Sequence, residues 1–324
     1  MIVITGAAGF IGSVIGWRLN ELGEKDLLMV DQKAPGSPKW ENLKNRAFRE
    51  YLESDDFVSR LSRGDFQNKI TAIFHMGACS ETTEMDRDYL RKNNTEYSAL
   101  IADWCVKNNV YLSYASSAAT YGAGDLGFSD KDSLTPRLAP LNPYGQSKLD
   151  FDKWVLKNGW EKKITGFRFF NVYGPNEYHK GHMRSMVHKG FEQIRSTGKI
   201  KLFKSYLQEY PDGGQKRDFI YVKDAVDAVI WFYQNPDKKG IFNLGTGKAQ
   251  TWNELADALF KACGKPKNIE YVDMPDSIRN QYQYFTEADL QKLRSAGCPV
   301  SFGNIEAGTN DYVRQYLLKS DPHL

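Results

Sequence analysis

The chain is poor in the features that would assign it to a membrane, a metal or an oxidising compartment. Four cysteines, Cys79, Cys105, Cys263 and Cys298, are scattered over 324 residues without a Cys-x-x-Cys pair, which argues against a disulfide framework or a zinc knuckle. No apolar stretch approaches the length that crosses a bilayer, and no secretory leader precedes the first apolar run. A reduced, soluble, cytoplasmic protein with no membrane partner is therefore expected. Charge of neither sign dominates: 43 basic residues stand against 40 acidic, for a net charge of +3. With no basic block and no like-charge tail, nucleic acid is not an expected partner. Repeats and low-complexity segments are missing as well. The five histidines include His179, His182 and His188, but no acid or cysteine completes a ligand set around them, so no metal is expected.

What the chain does have begins at its second residue. Ile2, Val3 and Ile4 form a short apolar run that breaks into Gly6, Gly9 and Gly12 and continues as a helical pattern. Such a run reads as a buried strand turning into a helix around a phosphate-sized gap. Gly6 permits the tight turn, Gly9 lets backbone amides approach a pyrophosphate, and Gly12 lets helix and strand pack closely. The helix N-terminus contributes free N–H groups and partial positive charge. A second apolar run, 27–30, ends in Asp31, nineteen residues after Gly12, where a carboxylate suits the ribose hydroxyls of a dinucleotide.

Further apolar runs at 72–75, 111–115 and 165–170 alternate with helical patterns near 11–22, 83–108 and 144–158. That alternation predicts α/β architecture: a doubly wound parallel Rossmann sheet whose ligands bind at the carboxyl ends of its strands. The segment 174–216 is polar and reads as loop-rich, 217–233 as strand then helix, 241–244 as a buried strand and 251–263 as a helix. We therefore expect a dinucleotide-binding domain at 1–171 plus about 217–244. A smaller, interleaved α/β substrate domain is expected from about 172–216 and 245–324.

Tyr144 and Lys148 lie four residues apart in a helical pattern and so share a face. A free tyrosine titrates near pH 10 and is a poor base at neutral pH; a neighbouring cation favours its phenolate. The spacing alone is common in a chain with 18 tyrosines. Ser116 and Ser117, at a strand end upstream, give it meaning, because a hydroxyl there can hold a substrate alcohol against the phenolate.

With the segment 217–224 (Arg-Asp-Phe-Ile-Tyr-Val-Lys-Asp), these motifs resemble the extended short-chain dehydrogenase/reductase family over residues 2 to about 315. Finer motifs are similar to one branch, the ADP-L-glycero-D-manno-heptose 6-epimerases. They are His-Met-Gly-Ala-Cys-Ser at 75–80, Tyr-Ala-Ser-Ser-Ala-Ala-Thr-Tyr-Gly at 114–122, Phe-Asn-Val-Tyr-Gly-Pro at 170–175 running into His-Lys-Gly at 179–181, and Tyr-Gln-Tyr-Phe-Thr at 282–286. Related dehydratases place a carboxylate just after the strand-end serine; the matching Ala118-Ala119-Thr120 has none, which favours epimerisation.

The resemblance implies transient oxidation of a sugar at C6 and re-reduction on the opposite face, in lipopolysaccharide precursor synthesis. It assigns Tyr144, aided by Lys148 and Ser117, as one acid/base and Lys180 as the second. It carries Phe10, Ile11, Asp31, Gln32, Lys39, Met76, Gly77, Ala78, Cys79, Ser80, Asn93, Lys148 and Val172 to the dinucleotide, alongside Gly6, Gly9 and Gly12. NADP is expected, with NAD the alternative, because the family generally uses NADP and Lys33 and Lys39 offset the charge of Asp31. Ser116, Asn171, His182, Lys189, Phe203, Lys204, Ser205, Arg217 and Tyr282 are carried to an ADP-heptose substrate, and a homo-oligomer is implied. His182 stands where relatives have serine, Lys189 where they have histidine, Ser54 where they have lysine, and the 206–215 loop is longer. Another nucleotide sugar, and a non-catalytic dinucleotide sensor, are the alternatives.

Overall fold

The computed structural model describes residues 1–279 and 282–324. Its strands in chain order are β1 (Ile2–Thr5), β2 (Leu27–Asp31), β3 (Glu50–Glu53), β4 (Ala72–His75), β5 (Tyr111–Ser117), β6 (Thr165–Phe169), β7 (Asn171–Tyr173), β8 (Ile200–Phe203), β9 (Lys216–Tyr221), β10 (Gly240–Leu244), β11 (Ala249–Thr251) and β12 (Ile269–Val272). Seven of them form one sheet in the order β3-β2-β1-β4-β5-β6-β10, parallel throughout. Strands covered on both faces need side chains that are apolar in both directions, which is why β1, β2 and β4 are near-continuous apolar runs buried along their whole length. The order reverses between β1 and β4. That reversal opens the crevice at the carboxyl ends where ligands of such sheets bind.

The helices that frame the site are α1 (Phe10–Glu21), α2 (Ser54–Ser62), α3 (Arg87–Leu90), α4 (Tyr97–Lys107), α5 (Pro143–Lys157), α6 (Met186–Thr197), α7 (Val222–Gln234) and α8 (Trp252–Cys263). One apolar cluster packs α1 and α7 on one face of the large sheet, and a second packs α4 and α5 on the other. A third cluster joins Val187, Phe191 and Ile194 of α6 to Leu255 and Leu259 of α8 and to Ile200, Leu202 and Ile305. It underlies a smaller α/β layer, in which β7-β9-β11 and β8-β12 form separate short sheets. Among the described residues no helix is long and apolar enough to cross a membrane.

Three local features refine the reading of the sequence. The helical pattern at 83–108 holds from residue 87: α3 runs without a break through a π-helical turn, Arg91–Glu96, into α4. The 174–216 segment is not merely loop, since it holds α6 and β8. The amphipathic face of α6 is hidden within a polar composition and is closed by Ser185, whose side chain caps the His188 amide, and by Gly198 in the left-handed region. The edge strand β3 (Glu-Tyr-Leu-Glu), half-buried along its length, lacks the apolar run that marks its neighbours.

Candidate active site

The glycine turn does what its spacing implies. Gly6 has φ +64°, and a Cβ there would lie 2.8 Å from Gly77. At Gly12 a Cβ would sit 2.1 Å from the Gly6 carbonyl oxygen, so only glycine lets α1 close on the turn. The N-terminus of α1 carries no side-chain cap and no acid in its first turn. Its donors are therefore left for an anion. Asp31 shapes this turn as well as facing the groove: its Oδ2 accepts from the Ala8 amide at 2.8 Å and its Oδ1 from the Gln32 amide at 2.7 Å. Lys39 Nζ lies 2.7 Å from Asp31 Oδ1 and also reaches the Gln32 carbonyl. Lys39 thus offsets the acid, while the backbone amide of Lys33 donates to Glu53 Oε2 at 2.7 Å.

A groove of about 320 Å³ follows these groups. It is lined by Gly6, Gly9, Phe10, Ile11, Gly12, Asp31, Gln32, Lys39, Met76, Gly77, Ala78, Cys79, Ser80 and Asn93, together with Ser54 and Tyr97. The buried Tyr97 hydroxyl has no hydrogen-bond partner. An orphaned donor beside a cradle that any Cβ would fill is the pattern a polar, flat ligand completes, so the residues present fit a dinucleotide.

The groove meets a larger cavity of about 740 Å³, and Phe10, Ile11, Met76, Ala78, Ser80, Ala115 and Lys180 line both. Ser117, Tyr144, Lys148, Asn171, Val172, Lys189, Phe203 and Tyr282 line the larger one. Tyr144 is placed by an Asn-Pro helix start: the Asn142 side chain accepts from the Gly145 amide at 2.7 Å and Pro143 opens α5. Burial pushes the Tyr144 phenol up, and the facing Ser117 side chain offsets part of that. Lys148 is buried too; burial pushes its ammonium down to about 8, and its Nζ donates to the Ala115 carbonyl at 2.9 Å. The two side chains share a face of α5 as expected, but the lysine is tied to the strand.

Lys180 comes from a separate element, the turn Tyr178–Met183. Its Nζ lies 5.8 Å from the Phe10 ring centroid; burial lowers its basicity and Glu177 partly restores it. The turn is sewn in place. Buried Glu177 accepts from the Ser185 hydroxyl at 2.7 Å and from the Gly174 amide at 3.3 Å. The Asn42 amide donates to the Ala8 carbonyl at 2.9 Å and to the Asn176 carbonyl at 3.0 Å, bridging the glycine turn to the Lys180 turn.

Ser116 lines the larger cavity, and its hydroxyl donates to Asp152 at 2.9 Å. Several other assigned residues lie elsewhere. The Lys204 Nζ pairs with Asp273 and the Ser205 hydroxyl with the Leu207 carbonyl, both away from the cavity wall. His182 is two-thirds exposed and pairs at 2.8 Å with Glu81, because its turn points outward after Gly181 (φ +52°). His182 does not stand among the residues that line the cavity. Arg217 stands behind Tyr282 and Trp252, its guanidinium 5.1 Å and 5.8 Å from their ring centroids, and donates to the Lys216 and Gln283 carbonyls. His179 contacts Asn42 and His188 contacts Arg184, and among the described residues no three His, Cys, Asp or Glu gather as a metal site.

Sequence reasoning missed Trp252, which lines the cavity and donates from Nε1 to the Tyr282 hydroxyl at 2.9 Å. It missed the relay under the glycine turn as well. The Gly77 amide donates to Thr5 Oγ1 (3.0 Å), Thr5 is 2.7 Å from His75 Nδ1, and His75 Nε2 is 2.9 Å from Ser98 Oγ, which donates to the Asn94 carbonyl. Because Ser98 donates onward, His75 carries its proton on Nε2. The strand-end position of His75 was the available signal.

A sequence profile described as the NAD dependent epimerase/dehydratase family matches residues 2–245. The chain is 51% identical over its full 324 residues to an ADP-L-glycero-D-manno-heptose-6-epimerase of Nitratidesulfovibrio vulgaris, itself fully covered. It is 44% identical over 333 aligned positions to the enzyme of that name from Fusobacterium nucleatum, again with both chains fully covered. Among solved structures, the Helicobacter pylori ADP-L-glycero-D-manno-heptose-6-epimerase superposes with a TM-score of 0.78 at 26% identity, covering 97% of this chain and 95% of that one.

Proposed function

Because the chain belongs to the NAD dependent epimerase/dehydratase family, we propose that it interconverts ADP-D-glycero- and ADP-L-glycero-D-manno-heptose in lipopolysaccharide precursor synthesis. It does so by transient oxidation at C6. The observation that carries this reading is the full-length identity of 51% to an enzyme of that name, in a chain where Tyr144 and Lys180 line one cavity from separate elements.

When bound, the dinucleotide would supply a reversible hydride acceptor, held by the residues of the groove. Tyr144 takes the C6 hydroxyl proton; the phenol is raised by burial, so it needs the Lys148 ammonium to act as a base near neutral pH. Ser117 holds the alcohol oxygen. Oxidation leaves a planar ketone, which must present its other face before reduction. The oxygen then lies away from Tyr144, and Lys180, whose ammonium is weakened by burial, gives one of its own protons to the new hydroxyl; exchange with solvent then takes the first proton from Tyr144 and restores the Lys180 ammonium. Among the described residues the one carboxylate on the cavity wall is Glu177, already engaged by Ser185 and Gly174, so no acid is placed to expel water.

We assign the glycine turn, Asp31, Gln32, Lys39, the 76–80 loop and Asn93 to the dinucleotide. Lys39 over Asp31 favours NADP, since an ammonium meets a 2′-phosphate better than a bare carboxylate does. Homo-oligomeric assembly and a cytoplasmic setting belong to the same proposal. Incubation with ADP-D-glycero-D-manno-heptose and no added cofactor, followed by NMR at C6, tests it. Conversion is expected, with Tyr144→Phe slowed about 10²–10⁴-fold. No conversion even with added NADP or NAD overturns the substrate assignment.

A further inference from the structure

Helix α5 is fastened to the end of β5 at two successive turns, the first of them one turn after Tyr144. Lys148 donates to the Ala115 carbonyl, and Asp152 accepts from the Ser116 hydroxyl at 2.9 Å and the Tyr114 hydroxyl at 3.0 Å. The three α5 residues are spaced by four and so share one face. Asp152 is fully buried, as is Arg168 of β6, whose Nε donates to Asp152 Oδ2 at 2.9 Å. Its other nitrogens donate to the Tyr121 hydroxyl at 3.0 Å and to Thr135 Oγ1 at 2.9 Å.

A neutral pair would fill this space without the cost of desolvating two ions, so the charge needs a reason, and Lys148 supplies one. It lies one turn before Asp152 and is itself buried. The other groups that face it are neutral. His75 on β4 is held down to about 3 by burial, and burial raises both the Cys79 thiol and the Tyr144 phenol. The Tyr114 hydroxyl on β5 is likewise held neutral, and Arg168 lies behind the carboxylate. Asp152 is the anion that opposes the burial of Lys148.

We propose that Asp152, anchored by Arg168, is a positioning residue of the site: its carboxylate keeps Lys148 an ammonium, and its bonds to Tyr114 and Ser116 hold α5 in register with the strand end that carries Ser117. This rests on the reading of Tyr144 and Lys148 as the working pair.

The first test needs no substrate. Acetylation of Lys148 by dilute acetic anhydride is followed by mass spectrometry as a function of pH, with exposed Lys107 as internal control. The wild type is compared with Asp152→Asn and with Asp152→Asn/Arg168→Gln, which removes both members of the buried ion pair. The Lys148 midpoint should fall by about one pH unit or more in both variants, raising its reactive fraction at neutral pH several-fold, up to about tenfold, with Lys107 unchanged. An unshifted midpoint in the folded double variant overturns the proposal. In the epimerisation assay the alkaline limb of kcat should move down in pH by the same amount, KM should hold within about twofold, and Asp152→Glu should restore the limb. A wild type inactive on ADP-heptose would overturn the substrate reading, while the acetylation result would still decide the role of Asp152.

Discussion

His75 makes a prediction that can be worked through numerically. The side chain is 3% exposed and sits between Thr5 and Ser98, with both ring nitrogens engaged. Burial, with a smaller contribution from Lys148, pushes its imidazolium down to about 3. In the unfolded chain it titrates near 6.5. Between those values the unfolded state holds a proton that the folded state does not. Stability therefore falls with acidification, at up to about 1.4 kcal/mol per pH unit, and is fully present above the unfolded value. Between pH 7 and pH 5 this one residue accounts for about 2 kcal/mol. Urea unfolding of the dinucleotide-free protein, read by tryptophan fluorescence at pH 7, 6 and 5, measures the slope in wild type and in His75→Gln. His179 and His188, each held down to about 4 mainly by burial, also contribute, but equally in both proteins. Whatever its stability at pH 7, the variant should lose about 2 kcal/mol less by pH 5. Parallel pH dependences would refute the assignment of a neutral, relay-forming His75.

Other outcomes follow from the same geometry. In Gly12→Ala the new Cβ would press on the Gly6 carbonyl from 2.1 Å, so α1 must back away. The purified variant should carry little dinucleotide by chromatography of the denatured protein, and wild-type stoichiometry would contradict this. Lys39→Ala removes the partner of Asp31; calorimetry should show NADP binding weakened by about 1.5–3 kcal/mol, the worth of a hydrogen bond to a charged group, with NAD affected far less. Equal losses for both cofactors would place Lys39 away from the 2′-phosphate. Lys180→Met should lower kcat about 10²–10⁴-fold while leaving retained dinucleotide unchanged. A comparable loss of dinucleotide would make Lys180 a binding residue instead.

The parts legible in the sequence were those whose signal is local. Gly9 and Gly12 answer to contacts within a few residues and Gly6 to its own positive φ, and β1, β2 and β4 announce themselves because parallel strands buried on both faces must be apolar throughout. Tyr144 and Lys148 were readable because a helix face is fixed by spacing. Arrangements requiring knowledge of what lies across the cavity were not readable. Nothing in the string shows that the Ser116 hydroxyl turns down to Asp152 while Ser117 turns to Tyr144, or that His182 leaves the cavity for Glu81. Strand β3 escaped because an edge strand does not need an apolar run. Helix α6 escaped because its buried face, Val187, Phe191 and Ile194, is diluted by polar neighbours.

The bridge made by Asn42 carries a lesson about modularity. One amide group joins the carbonyl of Ala8, inside the glycine turn, to that of Asn176, at the root of the Lys180 turn. The two halves of the molecule therefore share a common reference point. An insertion near residue 42 would misalign the far acid/base without touching the cavity wall. A graft of segment 174–185 onto another dinucleotide-binding scaffold would need an amide donor at the same height above the turn, or the transplanted lysine would arrive uncalibrated.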